Sequence, residues 1–169
     1  MSCPKCGYCE SCGRSDSPSP VKLNTWQALV HYITPEFETL KRQFNWVSDD
    51  FAKAKFESID GCPGTSIEVR EVEFVYVHLD RDASDADVLA EHERQGVRPA
   101  TFPELLAHAA KYPDEQRKFP IVARGSVTIL GGDRLVAYLG SGGRGRGLDL
   151  GWVDGSVWGR GDRFLAVRK

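Results

Sequence analysis

The chain has 169 residues, 41% hydrophobic and 27% charged, a balance that fits a folded globular protein and excludes a disordered one. No apolar run reaches the roughly 18–20 residues that span a bilayer, so no membrane partner is expected. The formal net charge of −2 hides an asymmetry: residues 49–95 carry thirteen Asp/Glu against five Lys/Arg, and residues 96–169 carry twelve Lys/Arg against seven Asp/Glu. Such a sign change implies either two regions facing different surroundings or two solvated faces that attract each other.

The chain begins MSCPKCGYCESCGR, with Cys3, Cys6, Cys9 and Cys12 at every third position. No basic start leads into an apolar stretch, which points to a cytoplasmic protein with reduced thiols and favours metal over disulfides. CPKCG and CESCG each set two sulfurs in a tight turn whose N–H groups stabilise thiolate charge. Two such turns supply the four ligands of a tetrahedral Zn2+ site, and the tandem CPxCG form resembles zinc-ribbon knuckles. The alternative is a 4Fe-4S cluster, because C-x-x-C-x-x-C with the distant Cys62-Pro63 resembles the bacterial ferredoxin pattern, with Cys12 left over. Oxidised or idle thiols are the third reading. Four thiolates close the shell of a zinc ion, so the expected role is structural or docking rather than catalytic. SDSPSP at 15–20 cannot continue a helix and reads as a linker. The expected organisation is a metal-binding knuckle at 1–14, this linker, and one α+β domain at 21–169.

Within that domain, Trp26, Leu29, Val30 and Ile33 repeat at helical spacing, and Phe37, Leu40 and Phe44 continue the stripe. Thr34-Pro35 predicts the start of a second helix there, with Thr34 as N-cap. Phe51 and Phe56 fall on a further short segment, and Gly61-Cys62-Pro63-Gly64 marks a turn. IEVREVEFVYVHL at 67–79 reads as a strand apolar on both faces, hence central and covered. Ser84 with Asp87, and Thr101 with Glu104, form capping boxes that open two helices, the first closed by Gly96 and the second by Tyr112-Pro113. From Pro120 the chain turns into short apolar runs between glycines, twelve of seventeen of which lie in 125–169. Gly131-Gly132-Asp133 and Asp154-Gly155 are hairpin signals.

Catalytic signatures are weak. His31, His78, His92 and His108 share no i, i+4 spacing, and no metalloprotease, nucleophile-elbow or phosphate-loop motif is present. Asp80 and Asp82 read as a solvated loop before a hard-cation site. GSGGRGRG at 140–147 has glycine and arginine but neither the lysine nor the helix of a phosphate loop. As an arginine–glycine patch it keeps nucleic acid as a minority partner.

RPATFPELLAHAAKYPDEQRKFPIVARGS, followed by a glycine-rich region and LDLGWVDGSVWGRGDRFLAVRK, resembles the C-type-lectin-like fold. The form is that shared by formylglycine-generating-enzyme-like proteins and the target proteins of diversity-generating retroelements. Thr101 and Glu104 match the helix start; Gly155, Ser156, Trp158, Arg163, Phe164, Ala166 and Arg168 match the closing segment, and the likeness covers residues 97–169. No cysteine follows Cys62, so the oxidase activity of the first group is not carried over. The resemblance implies a binding scaffold whose ligand face holds Arg144, Arg146, Asp149, Trp152, Asp154, Ser156, Trp158, Arg160 and Asp162. Tryptophans among Arg, Asp and Ser on glycine turns have the composition of a recognition surface, while pinning of Trp152 or Trp158 to the core stays open. Leu148, Leu150, Val153, Leu165 and Val167 are core on either reading. The expectation is a non-enzymatic protein that binds an unknown protein or small ligand at its C-terminal surface. The alternatives are a nucleic-acid-associated zinc protein and an iron–sulfur redox protein.

Overall fold

The structure, a computed structural model, describes residues 25–169. The cysteine module at 1–14 and the linker at 15–20 lie outside the described residues. In chain order the elements are β1 (Trp26–His31), α1 (Phe37–Gln43), β2 (Trp46–Val47), β3 (Glu57–Ser58), β4 (Val69–Val77), α2 (Asp85–Arg94), β5 (Val97–Pro99), α3 (Phe102–Lys111), β6 (Ile121–Leu130), β7 (Asp133–Gly142), β8 (Gly145–Trp152) and β9 (Arg163–Arg168). The mixture of helix and strand, with the strands concentrated after Pro120, is α+β.

The helix expected at Trp26–Ile33 is instead strand β1. Trp26, Ala28, Val30 and Tyr32 also satisfy a period of two, and it is Ala28, Val30 and Tyr32 that are buried, while Leu29 and Ile33 are exposed. Pairing with β4 over six residues selects the strand, and no isolated-helix preference of this short segment can compete with that burial. Helix α1 starts two residues beyond Pro35, with Glu36 in place of the expected Thr34 cap.

The strands form one sheet in the order β1-β4-β9-β6-β7-β8-β2, with β3 and β5 attached to β6 and β9. β4 lies between β1 and β9; from Phe74 to Val77 it is apolar on both faces because both are covered, while its start at Val69–Glu71 is exposed. On one face α1 and α3 bury Leu40, Leu105 and Ala109 against Val30, Phe74, Ala137, Leu150 and Leu165. On the other, α2 buries Val88 against Val75, Val97, Val122, Val136 and Phe164. The 84–87 capping box is made reciprocally, at 3.1 and 3.2 Å. Gly96 follows α2 at φ 68°, the left-handed stop that glycine allows. Gly131 and Gly132, both at positive φ, join β6 to β7 as a hairpin. Asp154-Gly155 is a turn but not a hairpin: β9 pairs with β4, β5 and β6 rather than with β8, and residues 153–162 cross the α2-covered face to reach it.

One irregularity fixes how the layers meet. Ala123 pairs with Ala137 but Thr128 with Leu135, so three residues of β6 have no counterpart on β7. The bulge brings Gly125 against the entry to α3, where its N–H donates to the Ala100 carbonyl at 2.7 Å. A Cβ at Gly125 would lie 2.6 Å from that oxygen and 2.7 Å from the Pro99 oxygen, both rigid backbone. Gly125→Ala is expected to destabilise the domain by about 1–3 kcal/mol, read as a lower urea midpoint; an unchanged midpoint would show that the bulge relaxes freely.

Candidate functional site

The nine residues assigned to a C-terminal face do not share one surface. Arg144 and Arg146 sit at the turn between β7 and β8, whereas Trp152 ends β8 and Asp154 lies just past it, about 24 Å away at strand rise. Arg146 is committed to structure: its guanidinium donates to the carbonyls of Pro113, Gln43 and Ala109. Arg144 stacks over the Trp46 ring at 4.7 Å. The GSGGRGRG run is thus a hairpin, and Gly147 within it leaves the space that the Trp46 indole fills. Asp149 lies 3.3 Å from the Tyr138 hydroxyl, and Asp154 pairs with Arg134. Ser156 is half-buried.

Trp158 is core. It is 7% exposed, its ring meets Phe164 edge-on at 5.5 Å, and its backbone exchanges hydrogen bonds with Ala83 at 2.8 and 3.0 Å. The indole N–H points to Asp85, whose carboxylate receives a bidentate pair from buried Arg124 at 2.6 and 2.7 Å. Arg160 is tied to the Asp80 carbonyl and the Asp82 carboxylate, and Asp162 accepts the Gly159 N–H to close its own turn. Burial pushes the Asp162 carboxyl above its usual range. Of the two tryptophans, Trp152 alone is open, at 57%.

Cys3, Cys6, Cys9 and Cys12 lie outside the described residues. Among the described residues no group of three or more His, Cys, Asp and Glu gathers to hold a metal. Cys62 is half-buried and donates its thiol to the Pro99 carbonyl at 3.3 Å; burial pushes that thiol up, away from the thiolate a metal requires.

The concave site lies at the opposite edge of the sheet. Helix α3 is fastened to β1 at both ends. At its N-terminus the fully buried Glu104 accepts the Tyr32 hydroxyl at 2.6 Å, two Arg98 donors at 2.7 and 3.0 Å, and the Thr101 N–H at 2.7 Å. Burial, and after it the Glu104 carboxylate alongside, push the Tyr32 phenol well above its ordinary value, so it stays a donor. Beyond the C-terminus of α3, the Tyr112 hydroxyl lies 2.9 Å from both the N–H and the C=O of Gln27. Between these two fastenings a groove of about 800 Å3 opens along the edge of β1. It is lined by Leu29 and His31 of β1, by Thr39 and Gln43 of α1, and by Leu106, Ala107 and Ala110 of α3, with Lys111 as its one Lys or Arg and no acidic side chain. Leu29 and Ile33 are exposed along this edge, and Val69, opposite His31 on β4, is exposed beside it. The sequence carried part of the signal in Leu106, Ala107 and Ala110, but reading β1 as a helix hid the edge.

Under α3, His108 is buried in an aromatic cage of Trp26, Phe74, Tyr76 and Tyr112. Its Nε2 is 3.0 Å from the Tyr76 hydroxyl, which in turn reaches Glu115 at 3.4 Å. A proton on Nε2 satisfies the chain as imidazole to phenol to carboxylate. Nδ1 then has no partner and no access to water.

No helix among the described residues is long and apolar enough to cross a membrane. The chain matches no family model, no curated protein and no solved structure.

Burial holds His108 down to about 4, against 6.5 for a free imidazole. The unfolded chain therefore takes up this proton first as pH falls, so the stability it confers is complete above 6.5 and lost between 6.5 and about 4. That interval is worth about 3 kcal/mol at most. The urea midpoint should drop between pH 7 and pH 4.5 by more in the wild type than in His108→Gln; equal drops would place the acid sensitivity elsewhere.

Proposed function

We propose that the chain is a non-enzymatic binding protein whose ligand lies in the groove between β1 and α3. One observation carries this reading: two large apolar side chains, Leu29 and Ile33, line the groove while staying 63% and 52% exposed, with exposed Val69 beside them opposite His31 on β4. Scattered single apolar residues are ordinary on a surface, but a cluster beside a concavity marks an interaction site. The hydrogen bonds at Glu104 and Tyr112 hold both walls in place, so little ordering opposes binding.

A second reading follows the lectin-like resemblance and puts the ligand at the closing segment. The observation that favours it is Trp152, open to solvent on the strand whose end is joined to β7 by the Arg134–Asp154 pair.

The two are separated by 8-anilinonaphthalene-1-sulfonate fluorescence with sodium dodecanoate as competitor. Saturable binding that dodecanoate displaces, lost in Ala107→Arg at an unchanged melting temperature and retained in Trp152→Ala, is the expected result. Loss in Trp152→Ala alone would move the ligand to the closing segment.

At the N-terminal end we propose that Cys3, Cys6, Cys9 and Cys12 hold a structural Zn2+, the reading that the tandem CPxCG spacing supports. Purified protein should be colourless and carry about one zinc per chain by elemental analysis; a brown protein with iron and acid-labile sulfide would establish the cluster instead.

A further inference from the structure

We propose that the free edge of β1 takes up an extended apolar peptide as an added strand, with an acidic group of that peptide meeting Lys111. The proposal rests on the groove being the binding site and states what fills it.

The direction of the backbone groups is fixed by Tyr112. Its hydroxyl engages both the N–H and the C=O of Gln27 from outside the sheet, so Gln27 presents its peptide groups away from β4. In an antiparallel ladder that orientation alternates: Ala28 and Val30 bond to β4, while Leu29 and His31 point outward like Gln27. Outside the β1–β4 ladder, no hydrogen bond to the N–H or C=O of Leu29 or His31 is made among the described residues, and β4 is the only strand that β1 pairs with there. Two N–H and two C=O groups therefore stand in a row along the groove, enough for four hydrogen bonds to a strand laid beside them.

Sheet edges are usually blunted by charge, proline or a bulge. WQALVH contains no Asp, Glu, Lys, Arg or Pro, and its six pairs with β4 run without a break. Among the described residues the one side chain bonded to the outward groups of β1 is Tyr112, at Gln27, and it sits at the end of the edge rather than along it. The side chains of an added strand would alternate between two apolar surfaces, Leu106, Ala107 and Ala110 on the α3 side and Leu29 with Val69 on the other. A lipid chain would use the first surface and leave the second, and the four backbone groups, unmet.

Charge decides the end of the peptide. Among the described residues no acidic side chain lines the groove and Lys111 makes no ion pair. Lys111 lies beside Tyr112, at the point where the edge is blocked and an added strand must stop. A carboxylate there, from Asp, Glu or a chain terminus, complements the lysine.

The test pans a random octapeptide library on the full chain, with the Ala107→Arg chain as counter-selection. Enriched sequences are expected to alternate apolar residues and to carry an acid at one end. For a labelled synthetic hit, N-methylation at an edge-facing amide, Lys111→Glu and Leu29→Pro should each weaken binding about tenfold or more. Leu29→Pro removes an outward N–H and leaves the β4 ladder whole; the N-methylated peptide repeats that test on an unaltered protein. No enrichment over the Ala107→Arg chain, or binding indifferent to N-methylation, overturns the proposal. If dodecanoate still binds while no peptide does, the groove reading survives and strand addition falls; if neither binds, both fall. A dimer dissociated by Leu29→Pro would give the edge to a second copy and also overturn it.

Discussion

The carboxylate of Glu104 is the constraint on which the rest of this architecture hangs. It is fully buried and accepts from three separate places: the Arg98 guanidinium of β5, the Tyr32 hydroxyl just after β1, and the backbone that opens α3. A charge in that position is tolerable because every oxygen is occupied, and because Arg98, itself mostly buried, supplies the opposite charge in bidentate geometry. Loss of one partner from such a pair commonly costs about 3–5 kcal/mol, since the other is left buried and alone. No single element could provide this network. It exists only when the edge strand, the short β5 and the helix are all in place, so it ties the fold of residues 26–32 to that of 97–111.

The same tie shapes the surface. Glu104 holds Tyr32 at one end of α3, and Tyr112 holds Gln27 at the other, so helix and strand run antiparallel with their separation set at both ends. Between these points the side chains of α3 are small, Ala107 and Ala110, and the wall cannot close. The opposite face of the sheet is treated differently. There Asp85 at the start of α2 receives Arg124 from the β6 bulge and faces the Trp158 indole, and the crossing segment 153–162 seals the layer. One face is closed by polar contacts around an aromatic core; the other is left with a groove at its rim.

Much of this was legible in the sequence where local chemistry dictates local structure. The 84–87 capping box, the Glu104 half of the 101–104 box, the apolar β4 and the Gly131-Gly132 turn each depend on residues a few positions apart, and each stands where the spacing placed it; the Thr101 hydroxyl alone makes no cap bond. What was not legible depends on partners distant in sequence. WQALVHYI satisfies both a helical and a strand period, and only pairing with residues 69–74 decides between them. Trp158 reads from the sequence either as a recognition residue or as a core pin, and the burial that decides it requires Ala83, Asp85 and Phe164. Glu104 is recognisable as a capping residue, while its partnership with Tyr32, 72 residues earlier, is not.

Helix α3 is pinned to β1 at both ends, and the peptide groups between the pins stay open. Amide hydrogen exchange read residue by residue along β1 reports on those groups. Exchange should alternate: Ala28 and Val30 protected by β4, Leu29 and His31 exchanging nearly as fast as a solvent-exposed amide. Uniform protection from Ala28 to His31 would mean that the edge is already covered, and would contradict that arrangement.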